Sequence, residues 1–399
     1  MNNKIFVTLF VSLFASITGV GIVIPLLPVY ANNIGANGIY ISLIFGAFSM
    51  SRTLFLPYFG RLSDLKGRKP FIISGLIGYT LVSIAFIFAQ DIYSIISIRF
   101  IQGIASAMIM PVILAYVGDL TPKGKEGYYM GIFHLSVFGS LSIGPVVGGL
   151  INDYFDLKTT FIFMGFFSFI SFLLSFFLLP ATKFEKKLNK NNTKIKIKYR
   201  DIFNYKDFTG LFVYRFSYTI IIGIIWSFLP VYADTKFNLS SSEIGVMLML
   251  GVFFNGILQT PIGYLADKIN KTILIGVGSI VMIFALISYE KASGFSTLFM
   301  ASTLLGIGGG IAVPAVSALS VIIGDRTKSM GTVISLLTTA HSLGMLIGSL
   351  GAGFIMELIG LSFAFKIGIW VIIFGSIFCL LCLKSNKNIL FISPKNCIN

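Results

Sequence analysis

A short polar break between two long apolar stretches decides the fold of this chain. It reads Gly60-Arg61-Leu62-Ser63-Asp64-Leu65-Lys66-Gly67-Arg68-Lys69-Pro70. A shorter version of the pattern follows 203 residues later and reads Gly263-Tyr264-Leu265-Ala266-Asp267-Lys268. Glycine permits tight turns, and an acid beside bases can exchange ion-pair partners. A polar break that occurs twice in this way predicts a chain built from two related halves.

The stretches on either side of these breaks are too apolar for a water-soluble protein. The chain is 56% hydrophobic and 11% charged, with a mean hydropathy of +0.91. Soluble domains carry about 25% charged residues. No charged residue occurs from Ile5 to Ser51. We therefore predict an integral membrane protein whose main partner is the lipid bilayer. The net charge of +15 does not indicate nucleic-acid binding, because the bases lie between apolar runs rather than on one face.

The apolar runs have the length of membrane-spanning helices, which need about 20 residues to cross a bilayer core of about 30 Å. Twelve such runs occur, at residues 5–30, 38–59, 71–90, 92–117, 128–151, 159–180, 208–232, 244–263, 272–289, 294–322, 330–355 and 360–383. They predict an all-α integral membrane fold with twelve transmembrane helices in two pseudo-symmetric six-helix bundles. The predicted domains are an N-terminal bundle (1–182), a cytoplasmic basic linker (183–206), a C-terminal bundle (207–385) and a cytoplasmic tail (386–399).

The basic residues predict the orientation of these helices. With both termini in the cytoplasm, 23 of the 30 Lys and Arg residues fall in cytoplasmic segments and three fall in outer loops. Cytoplasmic loops of membrane proteins carry an excess of bases. We therefore expect a multi-pass protein of the cytoplasmic membrane with both termini inside, and we expect it to be a monomer.

Further repeats relate the two halves at a nearly constant offset. The matching pairs are Leu27–Ala31 with Leu229–Ala233, Pro111 with Pro314, and Met130-Gly131 with Met330-Gly331. Transporters built from two parallel repeats hold their substrate between the repeats, near the middle of the bilayer. The repeats therefore predict transport by alternating access, in which one half rocks against the other.

The polar break resembles the signature loop of the major facilitator superfamily. The matching positions are Gly60, Leu62, Asp64, Gly67, Arg68 and Lys69, and the second copy contributes Gly263 and Asp267. The resemblance implies that Asp64 lies at the positive N-terminus of the eleventh helix. It also implies that the loop arginine pairs with an acid at the end of the fourth helix, which would be Asp119. These contacts would latch the outward-open state.

The fifth span carries a glycine–proline pattern, Gly139-x4-Gly144-Pro145-x2-Gly148-Gly149. Small residues let helices pack closely, and packing alone would explain them. With Tyr128 and Gly131, the pattern also resembles the twelve-span drug:proton antiporter, or multidrug efflux, group of the superfamily. Pro25 and Pro28 in the first span resemble the same group, although they could simply be kinks. The resemblance implies an exporter.

The ionisable residues of the spans suggest candidates for proton coupling. Arg99 is expensive at mid-bilayer, by about 3 kcal/mol or more. It resembles a fourth-helix arginine linked to proton transfer, although hydrogen bonds to neighbouring carbonyls would also explain it. The first two spans contain no acid. The titrating group would therefore be His134, His341 or Asp119, because histidine titrates near neutral pH. A histidine that only bonds two helices together is the alternative.

The family resemblance implies that the first, fourth, seventh and tenth helices line a central cavity. The substrate-cavity candidates are Pro25, Pro28, Tyr30, Arg52, Gln102, Met108, Met110, Arg215, Trp226, Phe228, Asn255 and Gln259. Contact with lipid or packing between helices is the alternative for each. A cavity with arginines and no acid predicts neutral or anionic amphipathic substrates rather than permanent cations.

The function that these features predict is a secondary, proton-coupled exporter of small amphipathic molecules. A facilitator or symporter of a metabolite, such as a sugar or an organic anion, is the alternative within transport. A membrane-embedded lipid enzyme is disfavoured, because no Ser/His/Asp or His/Glu grouping lies at one membrane face. We find no nucleotide-binding GxxxxGK[ST] pattern, and we expect no catalytic residue, no metal and no cofactor.

Overall fold

The computed structural model describes residues 3–120, 126–180, 202–327 and 330–384, and its long elements are all α-helices. The helices are α1 (Asn3–Val23), α2 (Leu26–Asn33), α3 (Gly38–Lys66), α4 (Arg68–Phe88), α5 (Ile92–Leu120), α6 (Glu126–Tyr154), α7 (Leu157–Leu178), α8 (Lys206–Phe237), α9 (Ser241–Lys268), α10 (Lys271–Glu290), α11 (Phe295–Arg326), α12 (Met330–Leu358) and α13 (Leu361–Lys384). The described residues contain no strand. The all-α prediction is therefore confirmed.

The helices have the length and composition that a bilayer requires. Within the part of the chain that the structure describes, eleven are long and apolar enough to cross a membrane, when α1 and α2 are counted together. Helix α6 has 29 residues and contains the predicted span 128–151. Lipid offers no hydrogen bonds to the backbone, and helices satisfy theirs internally. The fold is that of a multi-pass membrane protein.

The first predicted span is broken rather than continuous. Helix α1 ends at Val23 and α2 begins at Leu26. Pro25 lacks a backbone N–H and cannot continue the helical ladder, and the Ile24 N–H instead bonds to the Gly21 carbonyl at 3.3 Å. Both Pro25 and Pro28 are buried. The break therefore divides this span into a long helix and a short one.

The described residues fall into two compact units. The first contains residues up to 180 together with Trp226–Met249, and the second contains residues 202–225 together with 250–384. In the first unit α3 packs mainly on α5, α1 packs on α6 and α7, and α4 packs on α5 and α7. In the second unit α10 packs on α11 and α13, and α12 packs on α11 and α13. Residues 206–225 of α8 belong to the second unit, and residues 226–237 belong to the first.

Aromatic and aliphatic side chains fill the core of the first unit. Leu13, Ile72, Leu76 and Val112 are fully buried in one cluster with Phe133. The rings of Phe6 and Phe133 meet edge to face at a centroid distance of 5.2 Å. Because lipid tails are as apolar as these side chains, close packing rather than hydrophobicity holds such a core together in a membrane.

Hydroxyl groups make a second kind of contact between the helices. In the second unit, the Ser376 hydroxyl donates to that of Ser279 at 2.8 Å, and the Tyr214 hydroxyl lies 3.2 Å from the same oxygen. In the first unit, the Ser175 hydroxyl donates to that of Ser12 at 3.0 Å. Each contact joins different helices, so polar groups as well as packing select neighbours within the apolar fold.

Candidate functional site

Arg99 lies on α5 in the interior of the first unit and is only 3% exposed. Its Nη1 donates to Oε1 of Gln102 at 2.7 Å, and its Nε donates to the Ile44 carbonyl at 3.2 Å. The guanidinium also lies over the rings of Phe45 and Phe48, at 5.2 and 4.6 Å. An amide, a carbonyl and two rings therefore stabilise the charge. Two of the predicted residues, Arg99 and Gln102, act together in this way.

Arg52 lies at the centre of α3, where that helix crosses α5. Its Nη2 donates to the thioether sulfur of Met110 at 3.4 Å. Its Nε is buried and has no hydrogen-bond partner within the described part of the chain. The helices are close here, because a Cβ added to Gly103 would overlap the Ser51 hydroxyl and the Phe48 carbonyl. The structure thus brings Arg52 and Met110 together, as neighbours of the Arg99 group.

The polar residues predicted in the second unit also form one group. The Asn255 amide donates to the Tyr218 hydroxyl at 2.8 Å, and the Gln259 amide donates to Oδ1 of Asn255 at 3.2 Å. The Arg215 guanidinium lies 5.8 Å from the centre of the Tyr218 ring. Sequence reasoning missed Tyr218, although its position three residues after Arg215 places both on one helix face.

The remaining cavity candidates are scattered. Tyr30 donates from its hydroxyl to the Ala89 carbonyl at the end of α4, at 3.2 Å. Met108 packs against α4 near Gly75. Phe228 is fully buried and Trp226 is half-buried, both on α8. Of the predicted residues, those around Arg52 in the first unit and those around Arg215 in the second unit are the ones that the structure brings into contact with one another, and the cavity itself stays a prediction.

The polar break takes a defined shape between α3 and α4. Gly67 has a φ of +90°, which favours glycine because other residues clash there. The Arg68 Nη1 donates to the Ser63 hydroxyl at 2.8 Å. Lys69 donates to the carbonyls of Phe176 and Leu179. Lys69 therefore caps the end of α7, where helix carbonyls lack partners.

Several predicted gating and proton-coupling groups cannot be placed at the level of side chains. The side chains of Asp64, Asp119, His134 and Asp267 lie outside the described part of the structure. His341 lies on α12 and is half-buried. Added Cβ atoms at Gly60 and Gly263 would meet open space. The latch and the proton path stay predictions.

The glycine–proline pattern of α6 lies against α1 over two helical turns. An added Cβ at Gly144 would meet the Gly21 backbone at 2.8 Å, and one at Gly148 would overlap the Ile22 carbonyl. On α9, the Ser241 carbonyl occupies the space beside Gly149. Backbones that approach this closely leave no space for any side chain. Gly139 is different, since its nearest neighbour would be the Phe14 ring at 3.6 Å.

The second unit repeats this packing in a form that sequence reasoning missed. Gly344 and Gly348 on α12 follow Gly144 and Gly148 at an offset of 200 residues. A Cβ at Gly344 would overlap the Thr219 hydroxyl, and one at Gly348 would overlap the Ile220 carbonyl, both on α8. The same offset relates Met130-Gly131 to Met330-Gly331, and this signal could have identified the second pair.

The end of α6 also caps α9 within the first unit. The Asp153 carboxylate accepts hydrogen bonds from the backbone N–H groups of Ser241 and Ser242, at 3.0 and 2.8 Å. The Asn152 amide donates to the Ser241 hydroxyl at 2.9 Å. Partial burial raises the pKa of Asp153, but the bonds from Ser242 and Ser241 outweigh it and hold the pKa below its ordinary value. A carboxylate with a low pKa remains charged at neutral pH.

We expect Asp153→Ala to destabilise the protein by about 1 kcal/mol, because it removes a helix cap. Because the pKa of Asp153 is lower in the folded protein than in the unfolded chain, the cap contributes its full stability at pH values above the unfolded pKa of about 3.9. This stability is lost as the pH falls through the pKa of the folded state. Thermal unfolding of the purified protein at neutral pH measures the loss. Asp153→Asn keeps one acceptor and should lose less. Equal stability of the wild type and the alanine variant would contradict the assignment of the cap.

Comparisons with known proteins agree with this architecture. The sequence model of the Major Facilitator Superfamily matches residues 9–236 and 208–392. An uncharacterized MFS-type transporter of Methanocaldococcus jannaschii is 30% identical over 92% of this chain and 94% of its own length. The quinolone resistance protein NorA of Staphylococcus aureus is 26% identical over 90% of this chain and 91% of its own length.

Solved structures share the fold. A bacterial homologue of the human lysosomal transporter Spinster, in an inward-facing and unoccupied conformation, matches with a TM-score of 0.82 and 14% identity over 98% of both chains. The human organic anion transporter MFSD10 matches with a TM-score of 0.66 and 18% identity, over 94% of this chain and 99% of that one. At these identities the likeness concerns the fold alone.

Proposed function

Since the chain belongs to the Major Facilitator Superfamily, we propose that it is a proton-coupled exporter of small amphipathic molecules. Members of this family transport solutes across membranes by alternating access. The proposal adds the direction, the driving ion and the class of substrate. It also places the protein in the cytoplasmic membrane as a monomer, with both termini in the cytoplasm, as the distribution of bases predicts.

The close packing of α6 supports export. Gly144 and Gly148 lie against α1, and Gly149 lies against α9. This pattern is the one that resembles the antiporter branch. The similarity to a quinolone resistance protein extends over 90% of the chain and points the same way, because a membrane transporter confers resistance most directly by removing the drug from the cell.

The first two spans contain no acid, so the proposed proton path must use titrating groups on other helices. Arg99 is held by Gln102 and Ile44 rather than by a carboxylate. A buried arginine does not give up its proton near neutral pH. We therefore assign to Arg99 a positioning role, and to His134, His341 or Asp119 the titration. Among these, His341 lies near the middle of α12 and is half-buried.

Transport into everted membrane vesicles tests the proposal. We expect a fluorescent fluoroquinolone to accumulate when a respiratory proton gradient acidifies the vesicle interior, and to leak out when nigericin collapses that gradient. Arg99→Ala should reduce the accumulation to background, because it leaves the Gln102 amide and the Ile44 carbonyl without their donor. Arg61→Gln removes an exposed positive charge and should leave accumulation unchanged.

Two results would contradict the proposal. Accumulation that survives nigericin and valinomycin added together, which collapse both the pH gradient and the membrane potential, excludes proton coupling. Full activity of a variant that lacks both histidines and Asp119 excludes the proposed titrating groups. A metabolite facilitator would instead equilibrate a sugar or organic anion across the vesicle membrane without any gradient.

A further inference from the structure

Two buried hydrogen-bond donors in the group around Arg52 have no acceptor among the described residues. Nε of Arg52 and Nε2 of Gln102 are both buried without a partner within the described residues. Gln102 itself is fully buried. The acceptor found for Arg52 is the Met110 sulfur, at 3.4 Å, and a thioether is a weak acceptor. Buried donors without partners are rare in folded proteins, so these two N–H groups are candidates to donate to a bound acceptor.

The two unpartnered donors belong to one contact between α3 and α5. Gly103 follows Gln102 in the chain and lies against the Arg52 backbone. A Cβ added to Gly103 would lie 3.1 Å from the backbone nitrogen of Arg52. Phe48 stands one helical turn before Arg52 and covers the Arg99 guanidinium at 4.6 Å. Arg52 and Arg99 therefore place two positive charges on the same pair of helices.

The positive charge of the Arg52 guanidinium favours an acceptor that is negatively charged. The ion pairs of described side chains include Asp207 with Arg326 and Glu290 with Lys366. Neither involves Arg52. Arg52 occupies the middle of a 29-residue helix, far from either end. A guanidinium binds a carboxylate through two parallel hydrogen bonds, and it is placed where such recognition is needed.

From this geometry we infer that Arg52 binds the carboxylate of an amphipathic anion, with Gln102 as a second donor to the bound molecule. The inference rests on the proposed transport function and specifies one part of its substrate. The Met110 side chain would contact the apolar body of the substrate, because a flexible thioether adapts to varied shapes. Arg99 would remain held by its own partners and would add to the positive potential.

Binding of a matched pair of probes to the purified full-length protein tests this inference. Naphthalene-2-carboxylate and naphthalene-2-carboxamide have nearly the same shape but differ by one negative charge. We expect the wild type to bind the carboxylate about tenfold more tightly than the carboxamide, the factor that one charge-assisted hydrogen bond supplies. Isothermal titration calorimetry at neutral pH measures both affinities.

Variants then assign the preference to Arg52. Arg52→Gln should bind the two probes equally, and Arg52→Lys should keep part of the preference. Arg61→Gln removes an exposed arginine and should keep all of it. Arg52→Met places an unbranched apolar chain beside Met110 and provides a second neutral variant if glutamine impairs folding.

Equal binding of the two probes by the wild type, or no binding of the carboxylate, would overturn the inference without recourse to any variant. A preference that survives in Arg52→Gln and Arg52→Met would also overturn it. No proton gradient is present in the binding assay. A protein without the carboxylate preference could therefore still pass the test of proton-driven export. A protein that fails the export test could still show the carboxylate preference in the binding assay.

Discussion

Gly148→Ala is expected to abolish transport and to lower the stability of the protein by about 3 kcal/mol, the upper range for overpacking. The added Cβ would overlap the Ile22 carbonyl of α1. A backbone atom within a helix cannot move aside as a flexible side chain can, so α1 and α6 would have to separate. Gly348→Ala should act similarly in the second unit, where the Ile220 carbonyl occupies the corresponding place.

Two other glycines provide matched controls. Gly139 lies on α6 with its nearest neighbour at 3.6 Å, and Gly351 lies on α12 with no neighbour within 4 Å. Alanine at either position should leave transport and folding unchanged. Thermal unfolding of the purified variants and quinolone accumulation in vesicles measure the two effects. If Gly148→Ala and Gly139→Ala behaved alike, the packing at Gly148 would not be as close as described.

Asp207→Ala should destabilise the second unit by about 1.5–3 kcal/mol, the contribution of a hydrogen bond to a charged group, because the Arg326 side chain is 33% exposed and stays partly solvated when it loses its partner. Asp207 is the second residue of α8 and has 1% of its side chain exposed, and its carboxylate pairs with Arg326 at the end of α11. Its Oδ1 also accepts the Phe208 backbone N–H at 3.0 Å. The Arg326 guanidinium, which lies over the Tyr205 ring at 5.3 Å, would lose its anion.

The pair Glu290 and Lys366 in the same unit is the control. Its side chains are 25% and 49% exposed, and exposed pairs contribute about 0–1 kcal/mol. Glu290→Ala should therefore have a small effect on the unfolding temperature. The double variant Asp207→Leu/Arg326→Met should recover most of the stability that Asp207→Ala loses, because no unpaired charge remains. A double variant as unstable as Asp207→Ala would show that the two residues are not coupled.

The fold could be predicted from the sequence because its signals are local and repeated. Apolar runs of about 20 residues are constrained by the thickness of the bilayer, and the offset between the two polar breaks relates the halves. Both the all-helical fold and the family resemblance are confirmed. The sequence left open a kink at Pro25 but did not predict that a helix ends there, since proline is compatible with either.

Contacts between distant residues could not be predicted in the same way. Asp207 and Arg326 are separated by 119 residues, and a charge at a helix end has the same local sequence signal whether it is solvated or paired. Lys69 matches a family motif, yet the structure shows it capping α7. Its partners there are backbone carbonyls, which every residue possesses, so no pattern of residue types identifies them.

The hydroxyl contact at Ser279 has a consequence for biogenesis. Its own hydrogen is donated to the Ile275 carbonyl at 2.7 Å, so the oxygen accepts from both Tyr214 and Ser376. Ser376 lies on α13, which leaves the ribosome after the other described helices of this unit. The helices that carry Tyr214 and Ser279 therefore enter the lipid before Ser376 is present. The hydrogen bond from Ser376 to Ser279 can form only after α13 has been inserted. A nascent chain arrested before residue 376 should remain a substrate for membrane quality-control proteases.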